Sequence, residues 1–304
     1  MPLSLTSATA LVRGDRLPPV PDDDRDAIQR DILGPFGVRP DPARLARAAN
    51  VGFTELAENL VRELPISGPD LLIFAYGIPD PSSLKHVTPY VNHLLGDRSH
   101  SFAISEQGLR APYTALKIAD AYARSGRCGS LALFVCEQNS LPYHDSFVAD
   151  NRLANTAALF LFGDCGGGYE FVATGPTSTT RGLGPLLGSV TARCDPDSTL
   201  VVAGPWVDAD MLAATGVPTH RVAPGSYCTG VWLELARSHR TWATTYRTLV
   251  LCDTDPRTGR SQTALLRRRS TTGAVAPGAP QTATGAPARP AAAPTSASAR
   301  EQTP

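Results

Sequence analysis

The chain has 304 residues, of which 42% are hydrophobic and 18% are charged. This composition is typical of a soluble globular protein, and the length allows one large core or two fused halves. The 28 basic and 28 acidic side chains cancel, so the charge balance gives no basis for binding nucleic acid or an anionic membrane surface.

The N-terminal stretch MPLSLTSATALVRGDRLPP has too short an apolar run for a signal peptide, and no later apolar run is long enough to span a bilayer. We therefore expect a cytoplasmic protein. The six cysteines show no CxxC spacing, and in a reducing compartment we expect no disulfides. Cys136 and Cys252 lie inside apolar strands and should be buried.

The composition changes near Ser270, where the chain becomes a run of Ala, Pro, Thr, Ser and Gly with almost no large aliphatic side chain. Such a segment buries too little apolar surface to offset its chain entropy. We therefore predict a disordered tail over 270–304. The remainder is divided into an N-terminal half, 1–175, and a C-terminal half, 176–269.

Apolar runs rich in β-branched residues alternate with helical stretches through the first half. Strands that are apolar on both faces and separated by helices indicate a largely parallel sheet covered on both sides. The predicted strands are 70–77, 101–105, 130–137, 157–163 and 169–175, and the predicted helices are 82–96 and 111–126.

The second half repeats this pattern. TLVVAGP (199–205) matches LLIFAYGIP, THRVAPGS (219–226) matches HSFAISEQ, and TLVLCDTD (248–255) matches SLALFVCE. The matched strands are offset by similar distances, which indicates an internal duplication. We predict two βαβαββ halves in a five-layer αβαβα arrangement, with the helices after 101–105 and 220–224 buried at the centre.

One glycine-rich segment narrows the fold further. Residues 159–175, LFLFGDCGGGYEFVATG, are similar to the Phe-Gly-Asp-Gly-Ala-Gly-Ala segment of the ketosynthase III branch of the β-ketoacyl synthases. The β-ketoacyl synthases are a family of the thiolase superfamily. Gly163, Asp164, Gly166 and Gly168 keep that pattern. The glycines allow a tight crossing between strands, and the aspartate can accept backbone hydrogen bonds there.

Three further segments carry the same resemblance. Residues 115–137 resemble the family's nucleophile-bearing helix and the strand after it, 223–236 resemble its Gly-Asn-Thr segment, and 247–268 resemble its closing hairpin. Together with the glycine-rich segment these matches cover about residues 70–268. The resemblance implies a thiolase-like fold.

The resemblance also implies a Cys-His-Asn triad, whose cysteine sits at a helix N-terminus where its pKa is lowered and the oxyanion is held. The cysteine position matches Gly108 counting from Phe102, or Leu109 counting from the following helix. The histidine position matches Gly204 or Ala203. The asparagine position matches Ser226. The sequence thus predicts that all three members are lost, which makes the ordinary condensation improbable.

Other residues are candidates for a substitute nucleophile. Cys228 lies two residues beyond the asparagine position, but a small buried residue opening a central helix is the simpler interpretation. Ser105 and Ser226 carry hydroxyl groups that would need an adjacent base, and His220 and Glu106 are nearest in motif terms. A structural role and a role as substitute nucleophile both remain open for these residues.

The remaining polar motifs favour ordinary structure. Glu106 and Arg110 flank the vacated position, where a solvated or interface salt bridge is the simpler interpretation. The histidines at 86, 93 and 100 have no metal-like spacing, so no metal site is predicted. DPRTGRS (255–261) and RGLGPLLG (181–188) are predicted to be turns.

The resemblance implies a protein of fatty-acid or polyketide-type specialised metabolism. We expect a subunit without a triad that forms a homodimer, or a heterodimer with a cysteine-containing ketosynthase, and acyl carrier protein is a further candidate partner. No bound cofactor is expected, and acyl-CoA or carrier-protein phosphopantetheine would be the substrate. The alternatives are an active acyltransferase using Ser105, Ser226 or Cys228, and a module that binds a small molecule or an acyl carrier without turnover.

Overall fold

The computed structural model describes residues 3–18, 23–66, 68–80, 85–164 and 168–268. Ten strands in these ranges form two five-stranded sheets. The predicted tail, 270–304, and Gly166 lie outside these residues. The first sheet has the order β3-β2-β4-β5-β1. Its strands are β1 (Ser4–Arg13), β2 (Leu71–Tyr76), β3 (His100–Ile104), β4 (Leu131–Glu137) and β5 (Asn155–Gly163).

The second sheet has the order β9-β8-β10-β11-β6. Its strands are β6 (Tyr169–Thr174), β8 (Thr199–Ala203), β9 (Thr219–Arg221), β10 (Thr248–Asp255) and β11 (Arg260–Arg268), with the short β7 (Ser178–Thr179) paired to β11. A single bridge, Ser4 to Glu170, joins the two sheets.

The two sheets repeat one topology, as the duplication predicts. In the first sheet β3, β2 and β4 are parallel, and β5 and β1 are each antiparallel to the strand before them in the sheet. In the second sheet β9, β8 and β10 are parallel, and β11 and β6 are each antiparallel to the strand before them. β6 pairs with β11 from Tyr169 to Thr174.

Nine helices connect and cover these strands within the described ranges. The predicted helix over 82–96 begins only at Val87, after residues that lie outside the described part. The helices are α1 (Asp23–Leu33), α2 (Pro42–Arg47), α3 (Phe53–Glu63), α4 (Val87–Leu94), α5 (Ala111–Arg124), α6 (Ser146–Asp150), α7 (Thr180–Thr191), α8 (Ala209–Ala213) and α9 (Gly230–Thr245).

Three apolar clusters separate five layers. The central cluster joins α5 and α9 to the inner faces of both sheets, with Trp232 of α9 packed against Tyr113 of α5 at 5.1 Å between ring centroids. A second cluster packs α3 and α4 on the outer face of the first sheet. A third packs α7 and α8 on the outer face of the second sheet. The predicted five-layer arrangement is therefore confirmed.

One local prediction was wrong. Residues 181–188 form most of α7 instead of a turn, although three glycines and Pro185 lie within the segment. The helix begins at a side-chain cap, because Thr179 accepts a hydrogen bond from the Gly182 N–H. Leu183 and Leu187, one helical turn apart, are both fully buried, so tertiary packing outweighs the low helix propensity.

The other local expectations hold. The turn predicted within 255–261 connects β10 to β11. Cys136 and Cys252 are buried in β4 and β10, and the five cysteines that the structure describes are free thiols. No helix among the described residues is long and apolar enough to cross a membrane.

The central layer makes a prediction about stability. Trp232→Ala should lower the free energy of unfolding by about 3–5 kcal/mol, because it removes a fully buried indole between the two central helices. Urea unfolding of the variant measures the change. Val172→Ala, at a position that is 44% exposed on β6, is the control and should change it by less than about 0.5 kcal/mol. A loss below about 1 kcal/mol for Trp232→Ala would contradict the central packing.

Candidate functional site

The turn between β3 and α5 presents the predicted nucleophile position. β3 ends at Ile104, and a short 3₁₀ segment, Gly108–Arg110, leads directly into α5. The backbone is left-handed at Glu106 (φ 59°) and at Gly108 (φ 53°), which turns the chain sharply toward the helix. Thr114 closes the turn by donating a hydrogen bond to the Gln107 side chain at 2.6 Å.

The space beside Gly108 is filled by Tyr227. A Cβ atom placed on Gly108 would overlap the Tyr227 hydroxyl oxygen and lie 3.2 Å from the Asp255 carboxylate. Burial, followed by the Asp255 carboxylate, raises the pKa of Tyr227, so it remains a neutral phenol. The space at the start of the helix is thus filled by a side chain of the chain itself.

The space beside Gly204 is filled in the same way. Gly204 follows β8, and a Cβ atom placed on it would overlap the Asp253 carboxylate. Asp253 is buried and accepts a hydrogen bond from the Thr254 N–H at 2.8 Å. Burial raises the pKa of Asp253 well above its ordinary value, and the nearby Asp255 and Glu137 carboxylates raise it further.

Glu137, the last residue of β4, holds the chain that leads into α9. Its carboxylate accepts the Tyr227 N–H at 2.7 and 2.9 Å and the Cys228 N–H at 2.6 Å. Burial raises the pKa of Glu137 to about 7, while the donors at Tyr227, Cys228 and Thr229 act in the opposite direction. Glu137 therefore connects the first half of the fold to the helix start in the second half.

The predicted triad positions are only partly brought together. Gly108 and Gly204 both face the acidic end of β10, where Asp253 and Asp255 lie. Ser226 instead lines a hollow of about 220 Å³ beside the start of α9, with Arg152 and Arg237 at its rim.

The candidate substitute nucleophiles are not paired with a base. In the described part of the chain, neither Ser105 nor Ser226 hydrogen-bonds a histidine, and the His220 ring nitrogen contacts Glu234 at 3.0 Å. Cys228 is 1% exposed, and its thiol contacts the Cys136 carbonyl oxygen at 3.5 Å. Burial, and then the nearby Glu137, raises the pKa of Cys228 far above its ordinary value, so the thiolate is disfavoured.

The glycine-rich segment has a packing role at the junction of the halves. Gly163 ends β5 and Gly168 precedes β6, while Asp164 lies just beyond β5. A Cβ atom placed on Gly168 would overlap the Leu5 carbonyl oxygen of β1. Only glycine therefore fits at this crossing between the two sheets.

A larger hollow, of about 470 Å³, opens between α2 and α6. Arg44, Arg47 and Arg152 line it together with the apolar side chains of Leu141 and Val148. Arg44 also contacts His144 at 3.0 Å. The Asp145 carboxylate also lines the hollow, so three guanidinium groups against one carboxylate leave it positive, which suits a ligand that has both an anionic and an apolar part.

No set of three or more His, Cys, Asp or Glu side chains among the described residues has the geometry of a metal site. His93 pairs with Asp97 at 2.8 Å, and His100 contacts the Tyr122 hydroxyl at 3.1 Å. Each of these histidines therefore has a local partner.

Comparison with solved structures identifies the fold. The chain is similar to β-ketoacyl-[acyl carrier protein] synthase III (FabH) from Thermus thermophilus, with a TM-score of 0.59 and 14% identity over 88% of this chain and 99% of that one. For FabH from Pseudomonas aeruginosa the TM-score is 0.56 and the identity 14%, over 88% of this chain and 98% of that one. For a variant of OleA from Xanthomonas campestris the TM-score is 0.55 and the identity 12%, over 88% of this chain and 99% of that one. No family model and no curated protein matches the sequence. At these identities the comparison establishes a shared thiolase-like, ketosynthase III-like fold.

The residues that fill the site were not found by sequence reasoning. Tyr227 lies inside a segment compared with the family, yet its filling role depends on where α5 packs. Asp253, Asp255 and Glu137 carried a usable signal, because each is an acidic residue at the end of a wholly apolar strand. An acidic residue that is carried into the core in this way marks a polar site or a buried cap.

The filled site makes a prediction about small ligands. Tyr227→Ala should leave a phenol-sized cavity lined by the Leu109 N–H and the Asp255 carboxylate. Phenol should bind there and raise the melting temperature of the variant, whereas benzene, which lacks the hydroxyl group, should raise it much less. Differential scanning fluorimetry with both ligands measures the difference.

Tyr227→Phe is the control for this experiment, because it keeps the ring and creates no cavity. Phenol should leave its melting temperature unchanged. Equal stabilisation of Tyr227→Ala by benzene and phenol would show that the two polar contacts contribute nothing.

Proposed function

We propose that this chain is a ketosynthase III-like subunit of fatty-acid or polyketide-type metabolism that performs no condensation itself and pairs with a cysteine-bearing ketosynthase. The observation that carries this proposal is the filling of the space beside Gly108 and Gly204 by Tyr227 and Asp253. Transfer of an acyl group from a thioester needs a nucleophile, a base beside it and room for the acyl carbon. In this proposal Gly108, Gly204 and Ser226 stand where the family has its triad.

The chemistry of the remaining candidates supports the same conclusion. Cys228 is a buried thiol whose pKa is raised by burial, so it is a poor nucleophile at neutral pH. Ser105 and Ser226 have no histidine partner within the described ranges, and a serine hydroxyl without a base is unreactive toward thioesters. A pairing role therefore accounts for the retained fold better than a rebuilt catalytic site.

An open sheet edge supports the partner. β3 pairs only with β2 among the described strands, and its other side is unpaired. Phe102 of β3 and Tyr122 of α5 are half-buried near this edge, with ring centroids 6.3 Å apart. An edge strand with apolar neighbours invites pairing with a strand of another chain. We propose that β3 is the pairing strand, either with a second copy or with the ketosynthase.

The hollow lined by arginines favours a second candidate function. Arg44, Arg47 and Arg152 around an apolar floor suit the phosphate and pantetheine parts of acyl-CoA or of a carrier-protein phosphopantetheine. In this second candidate the chain binds acyl carriers, with or without acyl transfer. The two candidates are separated by testing for pairing and for acyl transfer.

The pairing proposal predicts co-purification. Co-expressed with the ketosynthase III encoded closest to its own gene, the tagged chain should carry that enzyme through size-exclusion chromatography as one complex. Ala103→Lys, at an exposed position of β3, should weaken the complex at least about tenfold, because lysine on an edge strand opposes pairing. Thr219→Lys, equally exposed on the edge strand β9, is the matched control and should leave it intact. A monomer in both the presence and absence of the enzyme would contradict the proposal.

The absence of acyl transfer makes a separate prediction. After incubation with acetyl-CoA, intact-mass spectrometry should find no acetyl adduct on the chain, because none of Ser105, Ser226 and Cys228 is both accessible and hydrogen-bonded to a histidine. An adduct mapped to Ser105, Ser226 or Cys228 would establish the acyltransferase instead. A rise in melting temperature with acetyl-CoA but without an adduct would support the binding module.

A further inference from the structure

The central helix α9 begins without the cap that its own sequence supplies. Thr229 stands at the N-cap position, and a threonine there commonly accepts an N–H of the first helical turn through its hydroxyl. The Thr229 side chain makes no such bond. Its hydroxyl oxygen lies 2.6 Å from that of Thr156, near the start of β5, and the two hydroxyls share a hydrogen bond. Pairing with the first sheet therefore turns the capping group away from the helix.

The first N–H groups of α9 are consequently left without acceptors. The first backbone hydrogen bond of the helix runs from the Leu233 N–H to the Thr229 carbonyl oxygen at 2.8 Å. Within the described ranges, no backbone or side-chain acceptor is bonded to the N–H of Gly230 or of Val231. Such groups at the start of a 16-residue helix carry partial positive charge, so they favour an anion nearby.

Ser226 gives a second and independent indication of a ligand. This residue is 5% exposed, and its hydroxyl has no hydrogen-bond partner in the part of the chain that the structure describes. The Ser226 Oγ lies 3.2 Å from the point that a Cβ atom on Gly230 would take, so it stands beside the first residue of α9. Ser226 and Gly230 both line the hollow of about 220 Å³. Buried hydroxyl groups usually have a partner, and this one borders a space that can hold one.

The charges around this hollow are positive in balance. Arg152 and Arg237 line it, together with the carboxylate of Glu234. Glu234 is already engaged, because its carboxylate lies 3.3 Å from the Arg237 guanidinium and 3.0 Å from the His220 ring nitrogen. Arg152 is exposed, and none of the described acidic side chains pairs with it. Its guanidinium is therefore available to an anionic ligand.

The rest of the wall is apolar, and the space is small. Val12, Val222 and Leu233 line the hollow, so a bound molecule buries hydrocarbon as well as charge. Since a cavity of about 150 Å³ holds benzene, a hollow of about 220 Å³ accommodates about six to nine non-hydrogen atoms. A carboxylate with a short hydrocarbon chain has this size and this combination of charge and apolar surface, whereas inorganic phosphate has no apolar part.

We propose that the hollow beside the start of α9 binds a free carboxylate that carries a hydrocarbon chain of about three to five carbons. The carboxylate oxygens accept hydrogen bonds from the Ser226 hydroxyl and the Arg152 guanidinium, in the positive field of the helix start. The hydrocarbon chain packs against Val222 and Leu233. The site is separate from the open edge at β3, and it does not rest on the proposed function.

Isothermal titration calorimetry of the full chain with sodium butyrate at neutral pH tests the site. We expect saturable binding to a single site. Butyramide has the same shape without the charge, and acetate lacks two methylene groups, so each should bind at least about tenfold more weakly than butyrate. Absence of saturable butyrate binding would overturn the proposal, and so would equal binding of butyrate and either of the other two molecules.

Three variants locate the bound butyrate. Ser226→Ala and Arg152→Asn should each weaken its binding about tenfold, because each removes a donor to a charged acceptor. Asparagine tolerates the left-handed backbone at residue 152 (φ 50°), so this variant keeps the test usable if Ser226→Ala does not fold. Arg240→Gln, at an exposed position of α9 outside the hollow, is the matched control and should bind butyrate like the natural chain.

A fourth variant separates this hollow from the larger one between α2 and α6, which Arg47 lines and Ser226 does not. Loss of butyrate binding in Arg47→Gln that Ser226→Ala does not share would assign the ligand to the larger hollow and overturn the proposal. None of these results changes the expected co-purification or acetyl-adduct outcomes, so failure of this site and failure of the proposed function are distinguishable.

Discussion

The Glu137 carboxylate joins the two halves of this fold at their centre. It ends an apolar strand of the first half and accepts the backbone N–H groups of Tyr227 and Cys228, which lead into the central helix of the second half. These N–H groups would otherwise be unpaired at a buried helix start, where water cannot reach them. The placement of α9, of Tyr227 and of the space beside Gly108 therefore depends on one buried acidic side chain.

Neighbouring side chains fill the space beside two central glycines. Gly108 and Gly204 lie in a region that is closely packed, and an empty space beside them would cost stability. The Tyr227 ring and the Asp253 carboxylate take up the space. The same region carries a polar cost, because the carboxyl groups of Glu137, Asp253 and Asp255 are all buried.

Two surface features lie apart from the centre of the fold. The edge of the first sheet is open at β3, and arginines surround the hollow between α2 and α6. The corresponding edge of the second sheet carries charge, since His220 of β9 pairs with Glu234 and Arg221 stands exposed beside it. Charged groups on an edge strand oppose pairing with another chain, so the two equivalent edges differ in what they can bind.

Local pattern was enough for the elements and for their repetition. Strand-length apolar runs such as 131–137 and 248–255 are apolar on both faces, and this holds only for strands covered by helices on both sides. The sequence likewise indicated a tight crossing at Gly168, where the structure leaves no room for a Cβ atom. α7 was misjudged because the burial of Leu183 and Leu187 against the second sheet is not visible in its glycines and proline.

The sequence by itself determined the alternating strands and helices and their repetition in the two halves, and it singled out positions 108 and 204, which are both glycine. Only the tertiary structure decided what occupies those positions. Tyr227 and Asp253 are distant from Gly108 and Gly204 along the chain and reach them because both halves direct their strand ends to one place. Such contacts follow from the packing of α5 and α9 between two sheets, and the spacing of residues along a chain carries no information about that packing.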